Sequence, residues 1–321
     1  MDNLLDINGL RVKISAGSNE FNAIDGINLN IASGGTHALV GESGCGKSIT
    51  AYSIMGLLPN VASVTGGSVH FAGDDLLKKS ESAMQGIRGK QIGMIFQEPL
   101  SSLDPVFTIY NQVAEAITLH ENVNGNELKE RVTALLKKVH IPDAEKRLKS
   151  YPHQLSGGMR QRVMIASAIS LKPALLIADE PTTALDVTIQ LQILKLIKEL
   201  KNEMDMALLL ITHDLGVVSY MCSHVSVMYA GRIVESCATE ELFSDPKHPY
   251  TKALLKSMPQ GRSEGKKLDT IQGTVPMMTN LPGGCRFSDR CEYANEKCKQ
   301  SEPALTEISA GHFVACSKEG N

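Results

Sequence analysis

Tryptophan is absent from this chain of 321 residues, and all aromatic residues together make up only 4% of it. Long apolar runs are absent too. A membrane-spanning helix needs roughly 20 consecutive apolar residues, and runs such as Met206 to Ile211 fall far short of that. The opening Met1-Asp2-Asn3 has no basic segment followed by an apolar stretch, so no signal peptide is read there. Neither sign of charge dominates. With 32 Lys and Arg against 35 Asp and Glu, the formal charge is −3, too small a field to draw the chain to nucleic acid or anionic lipid. The expectation is a cytoplasmic protein that reaches a membrane only by docking on a partner.

Seven cysteines without a signal peptide argue against a disulfide framework. Cys45, Cys222 and Cys237 are scattered, whereas Cys285, Cys291, Cys298 and Cys316 crowd the last 37 residues. Hydrophobic content of 42% and charged content of 21% suit an ordinary globular protein. The length allows one large domain and a smaller one.

Short alternating apolar runs at 4–14 and 27–31 predict strands with one buried face. Further strands are predicted at 37–40, 69–71, 92–96, 175–178, 207–212 and 225–229. Helical spacing predicts helices over 48–58, 108–140 with a break at Asn122–Asn126, 159–171 and 189–201. Strands alternating with helices imply an α/β fold with parallel crossover units. From about Pro246 the texture changes to Pro, Gly, Lys and Cys, which places a domain boundary there and gives domains 1–245 and 246–321.

Gly41-Glu42-Ser43-Gly44-Cys45-Gly46-Lys47-Ser48 fits the phosphate-loop pattern G-x-x-x-x-G-K-[ST], with a strand before it and a helix after it. Glycines turn the backbone N–H groups inward around phosphate oxygens, and the helix N-terminus stands behind them. Lys47 supplies charge to the β/γ phosphates, Ser48 a hydroxyl to Mg²⁺, and Ile49 continues the loop. A chance glycine turn is the plainer reading, but the flanking strand and helix argue against it. Cys45 fills a variable position. Downstream, Leu175 to Glu180 is an apolar strand ending in two carboxylates. Asp179 suits Mg²⁺ through water, and Glu180 suits the base that takes the proton of an attacking water. Acidic surface caps on a buried strand would look the same without the loop upstream.

Leu155-Ser156-Gly157-Gly158 stands directly before a helix, where a Ser side chain can simply cap. With the loop and the Asp179-Glu180 strand, this segment resembles the signature of the ABC ATPases. The resemblance covers residues 4 to about 245. It implies a P-loop ABC ATPase core: a mixed sheet with flanking helices, an antiparallel β subdomain and a helical subdomain. It also implies that residues 155–158 serve the ATP held by a second ATPase subunit. Met159 departs from the family's Gln, so no polar nucleotide contact is assigned to its side chain. On the same resemblance Gln97 is the glutamine that senses Mg²⁺ and water, and Asp186 in Ala184-Leu185-Asp186 is the D-loop aspartate. His213 is the histidine that contacts the γ-phosphate. Phe21, after the loop Ser15–Glu20, is the candidate aromatic for stacking on adenine.

The stretch from Phe243 to Leu255, and then Gly284 to Ala294 with Cys298, resembles the C-terminal extension of dipeptide and oligopeptide importers. Four clustered cysteines in a cytosolic chain point to metal. None of the tight C-x₂₋₄-C pairs of zinc sites occurs, and wider spacing suits a [4Fe–4S] cluster. Resemblance favours the cluster on Cys285, Cys291, Cys298 and Cys316, with zinc as the alternative. Few apolar residues follow 256, so a metal is expected to supply the stability a core does not.

The expected function is therefore the Mg-ATP-hydrolysing subunit of an ABC importer of di- or oligopeptides, lying peripherally on the cytoplasmic face of the membrane. Its implied partners are a second ATPase subunit, two transmembrane permeases and, indirectly, an external solute-binding protein, with no nucleic acid. The same subunit type for nickel or another solute is the nearer alternative. A soluble ABC ATPase outside transport is the more distant one, since such proteins generally carry two cassettes or long coiled coils.

Overall fold

The computed structural model describes residues 3–17, 19–258 and 271–317. The opening Met1-Asp2, on which the signal-peptide reading rests in part, and tail residues 259–270 and 318–321 lie outside the described residues. In chain order the strands are β1 (Asn3–Ala16), β2 (Asn19–Ala32), β3 (Thr36–Val40), β4 (Ala62–Phe71), β5 (Asp74–Asp75) and β6 (Ile92–Ile95). They continue as β7 (Leu175–Asp179), β8 (Ala207–Thr212), β9 (His224–Tyr229), β10 (Arg232–Ala238), β11 (Thr306–Ser309) and β12 (His312–Val314).

The chain forms two compact units. The first comprises Ala32–Gly35 and Lys78–Leu210. It carries β6 and β7, paired in parallel with Ile92 opposite Leu175, and the helices Ile109–Thr118, Gly125–Lys138, Gly157–Ala168 and Val187–Glu203. The predicted helical stretch 108–140 is thus two helices, parted by the polar segment around Asn122–Asn124. Each opens with a residue in extended backbone, Thr108 and Asn124, and the Thr108 hydroxyl accepts the N–H of Asn111. Their apolar faces, Ile109, Val113 and Ile117 on one and Leu128, Val132 and Leu136 on the other, are buried.

The second unit comprises Asn3–Ile31, Thr36–Leu77 and the chain described from Ile211 onward. Its first sheet has the order β2-β1-β4-β5. Along β1 the buried apolar residues are Leu5, Ile7, Leu10 and Val12, so the period of two skips at Gly9. The β1–β4 pairing shifts register between Asn8 and Arg11. This bulge returns Leu10 to the face of Leu5 and Ile7 and keeps one side of the strand buried. The unit's other strands run β3 parallel to β9, then β9, β10, β12 and β11 antiparallel in succession. Sequence reading omits β10 and the β11–β12 hairpin.

The chain beyond 256 is not as poor in core as its composition implies. Phe287 and Val314 are 3% and 1% exposed. The Phe287 ring stands edge-on to Tyr229 at 5.2 Å and tilted against Tyr250 at 5.3 Å between centroids. Three aromatics in contact are a stable anchor, and 4% aromatic content had hidden it because these rings lie far apart in sequence.

A buried polar knot closes the same region. Glu235 on β10 is fully buried. Its carboxylate accepts the N–H groups of Lys247 and His248 at 2.8 and 2.9 Å, and faces His312 Nε2 on β12 at 2.9 Å. His312 Nδ1 lies 2.9 Å from a Glu241 carboxylate oxygen. Burial alone would lower the His312 pKa, but the hydrogen bonds from Glu241 and Glu235 outweigh it and raise the pKa above its usual value. Asp245 adds a further negative charge nearby. The Cys237 thiol stays neutral, pushed up to about 12 by burial and by the Glu235 and Glu241 carboxylates.

A raised folded-state pKa means that protonated His312 contributes stability fully below its unfolded pKa, about 6.5. That contribution is lost as pH rises through the folded value. His312→Gln should therefore destabilise the protein by about 1–3 kcal/mol near pH 6. The gap from wild type should narrow toward pH 8–9. Denaturant melts of both proteins across this range check it; a gap that widens with pH would reverse the assignment.

Candidate functional site

The phosphate-loop segment lies in the second unit, between β3 and the helix Lys47–Met55. Gly46 precedes that helix with φ +109°, a conformation closed to side chains. A Cβ there would also stand 2.6 Å from the Ala23 carbonyl oxygen on β2. Lys47 is buried, and its ammonium donates to the carbonyls of Gly41 at 2.8 Å and Glu42 at 3.1 Å. The loop therefore curls around its own lysine. Ser48 and Ile49 are half-buried in the first turn, while Ser43 and Gly44 are exposed. Cys45 is buried, and burial raises its thiol pKa, which fits a bystander. Phe21 lies half-buried on β2, two residues from Ala23. The predicted loop Ser15–Glu20 is shorter than expected, because β1 runs to Ala16 and β2 starts at Asn19. His213 is exposed directly after β8, and the next residue, Asp214, caps the helix Leu215–Met221.

The first unit holds the other predicted residues. Asp179 ends β7 fully buried. Glu180 follows at φ +44°, a left-handed conformation uncommon outside glycine and characteristic of functional turns. Its Oε2 accepts from Gln97 Nε2 at 3.2 Å and from Thr183 Oγ1 at 2.9 Å. Gln97 and Glu180 are 83 residues apart, and the structure joins them. Ser156 caps the helix Gly157–Ala168 by accepting the Met159 N–H. Asp186 caps Val187–Glu203 in the same way through Ile189. These two caps approach each other: a Cβ on Gly158 would meet Ile189 Cγ2 at 2.8 Å. Leu155 is buried beneath them.

The four tail cysteines are half-buried and free of disulfides. The Cys285 N–H donates to the Cys298 carbonyl at 2.7 Å. The Cys298 sulfur lies 3.4 Å from the hydroxyl of Ser317, the neighbour of Cys316. Burial raises the Cys285 pKa to about 11, with Glu302, Cys298 and Cys316 adding to it. Cys291 is raised likewise, first by burial and then by Cys316 and Cys298. The four thiols thus share one neighbourhood. Among the described residues, the side chains with three metal-capable atoms all within 4.8 Å of one another are Glu235, Cys237 and His312 instead. Sequence reading missed that group because His312 on β12 is far in sequence from Glu235 and Cys237 on β10, and hydrogen bonds already engage its carboxylate.

Sequence reading also missed the residues that hold the phosphate loop from outside. Glu42 receives both guanidinium arms of Arg290, at 2.6 and 3.1 Å. Its N–H donates to the Tyr250 hydroxyl at 3.0 Å. Burial raises the Tyr250 pKa, so that hydroxyl keeps its proton.

Residues 24–183 match the family described as ABC transporter, and residues 234–298 match the oligopeptide/dipeptide transporter C-terminal region. A probable peptide ABC transporter ATP-binding protein of Sinorhizobium fredii is 49% identical, with 98% of this chain and 95% of the relative aligned. An oligopeptide transport ATP-binding protein of Bacillus subtilis is 48% identical over 98% of this chain and 97% of its own. Among solved structures, an ATP-binding cassette dimer in a post-hydrolysis state with ADP and Pi is 26% identical with a TM-score of 0.66. It aligns with 73% of this chain and 98% of its own. A cassette from Clostridium perfringens, part of an ABC transporter complex, is 29% identical with a TM-score of 0.65, over 76% of this chain and 92% of its own. Likeness on this scale, at nearly full length, means that the chain belongs to the ABC transporter family, as an ATP-binding subunit of its oligopeptide/dipeptide branch.

Proposed function

We propose that this chain binds and hydrolyses Mg-ATP to power import of di- or oligopeptides through an ABC transporter. The observation that carries the reading is the junction of Gln97 and Thr183 on the Glu180 carboxylate at the end of β7. A residue chosen for its place after β6 and one chosen for its place after β7 hydrogen-bond each other, which supports a shared role in positioning water. The peptide solute is supported by the family match of the C-terminal region and by the names of the relatives.

In this reading Lys47 compensates the β/γ phosphates from inside its loop, and loop N–H groups hold the phosphate oxygens. Ser48, Gln97 and Asp179 are oxygen donors of the hard kind that Mg²⁺ takes. The ion, when bound there, would offset the negative charge of the phosphates. Gln97 orients a water toward the γ-phosphorus. Glu180 takes its proton as the new P–O bond forms and the bond to the β-phosphate oxygen breaks, releasing ADP. His213 contacts the γ-phosphate, and Phe21 stacks on adenine. Residues 155–158, with Ser156 and the amides of a helix N-terminus, serve the nucleotide of a second ATPase subunit. Two permeases and an external solute-binding protein complete the assembly, with this chain peripheral on the cytoplasmic face. Among the described residues no helix is long and apolar enough to cross a membrane. Domains 1–245 and 246–321 correspond to ATPase core and extension.

The extension carries an iron–sulfur cluster on Cys285, Cys291, Cys298 and Cys316. Convergence of the four thiols supports a shared ligand set. Four thiolates suit a cubane, and tetrahedral zinc on the same four ligands is the alternative. The cluster's role is structural.

Three outcomes are expected. Lys47→Ala should weaken ATP binding roughly 100-fold, read by calorimetry; unchanged affinity removes the phosphate-loop assignment. Glu180→Gln should bind ATP normally yet lose turnover by about 10²-fold or more in the assembled transporter. It should also accumulate as a nucleotide-bound dimer on gel filtration, and wild-type turnover would take Glu180 out of the base role. Protein purified without oxygen should be brown and hold about four irons per chain. Serine at any of the four cysteines should release the iron. Stoichiometric zinc would replace the cluster but keep the ligands; four freely alkylated thiols would end both readings.

A further inference from the structure

The phosphate loop is gripped from outside by the C-terminal extension. Glu42, its second residue, adds a carboxylate to a loop read as holding polyphosphate. Both arms of Arg290 cover that carboxylate at 2.6 and 3.1 Å, with the Arg290 side chain only 4% exposed. Arg290 is itself fixed: Nε donates to the Gln272 carbonyl at 3.0 Å, and the guanidinium lies over the rings of Tyr229 and Phe287. A fork this ordered binds a carboxylate with both charge and direction.

Tyr250 acts on the same residue from another side. Its hydroxyl accepts the Glu42 N–H at 3.0 Å. Its own N–H donates to Nδ1 of His248, which burial keeps neutral by lowering its pKa to about 3. The Glu42 carbonyl, in turn, accepts from Lys47 Nζ at 3.1 Å. Side chain, N–H and carbonyl of Glu42 thus run in one series from the extension to the lysine ammonium. A second strut is parallel: Arg286 Nη1 donates to the Ala230 carbonyl, and the adjoining Gly231 N–H holds the Cys45 carbonyl at 2.9 Å.

We propose that Arg290 and Tyr250 are positioning residues for nucleotide: they cancel the Glu42 charge and fix the loop carbonyls that place Lys47. The inference rests on the proposed ATP-site reading. It assigns to the extension a part in nucleotide affinity, separate from any metal it carries.

The test uses the full chain and MgATP, with calorimetric Kd, the nucleotide-free melting temperature, and KM and kcat in the assembled transporter. Arg290→Met should raise Kd and KM about tenfold while kcat at saturating ATP stays within about twofold. Arg290→Lys should recover part of the loss, because charge returns without the fork. Tyr250→Phe should raise Kd roughly threefold. In a Glu42→Gln background, Arg290→Met should cost less than about threefold, since its partner charge is gone. A lower melting temperature with unchanged Kd in Arg290→Met and Tyr250→Phe overturns the proposal, as do additive effects of Arg290→Met and Glu42→Gln. If Arg290→Met does not fold, Arg290→Lys and Tyr250→Phe decide, and wild-type Kd in both overturns it. Lys47→Ala in the same assay separates the two failures. If it binds normally, the ATP-site reading fails; if it alone loses binding, only the bracing fails.

Discussion

Charge withdrawn from water must be matched, and in the second unit that requirement ties the tail to the ATPase core. Three core carboxylates carry it. Asp25 is held by Arg232 and by Arg286 of the tail. Glu42 is held by Arg290. Glu235 is held by the N–H groups of Lys247 and His248 and by His312. In each set at least one partner lies beyond residue 246. Removing the tail partner leaves the core carboxylate less compensated, most severely at fully buried Glu235. The extension is thus joined to the core by obligation at three separate points as well as by the packing of Phe287.

Much of the architecture was legible because it follows simple periods. The strand Ala207–Thr212 was predicted to the residue, and the helix over 189–201 extends only a turn further. β10 was not legible, since Arg232, Glu235 and Ser236 break its apolar pattern, and Glu235 is buried for its hydrogen bonds rather than its hydrophobicity. The β11–β12 hairpin was not legible either. All four residues of β11 are exposed, so no alternation marks it.

At the candidate site, what could be read was chemistry confined to short motifs. The phosphate loop, Asp179-Glu180 and the cap at Ser156 are each contiguous in sequence, so each stands out as a short motif. Contacts between distant segments were not legible: Gln97 and Glu180 stand out separately, and only the fold supplies their hydrogen bond. Arg290 and Tyr250 belong to no such motif. An arginine among the polar residues of a cysteine-rich tail looks like a solvated side chain until the fold sets Glu42 against it. The aromatic trio was hidden for the same reason, with members at 229, 250 and 287.

The pairing of β12 with β10 at Glu235–Val314 and Ser236–Phe313 has one more consequence. β10 is a mostly buried strand, and without β12 its free N–H and C=O groups would form a sheet edge beside apolar Ile233 and Val234. Such edges recruit strands from other molecules. β12 covers it, and the outermost strand becomes β11, a short stretch of Thr306, Glu307, Ile308 and Ser309 with a charge at its centre. The β11–β12 hairpin therefore ends that side of the sheet in a short, exposed, charged strand that is poorly suited to recruiting a strand from another copy. A protein shortened before residue 306 should be recovered from cells as insoluble aggregate even where its nucleotide motifs are untouched.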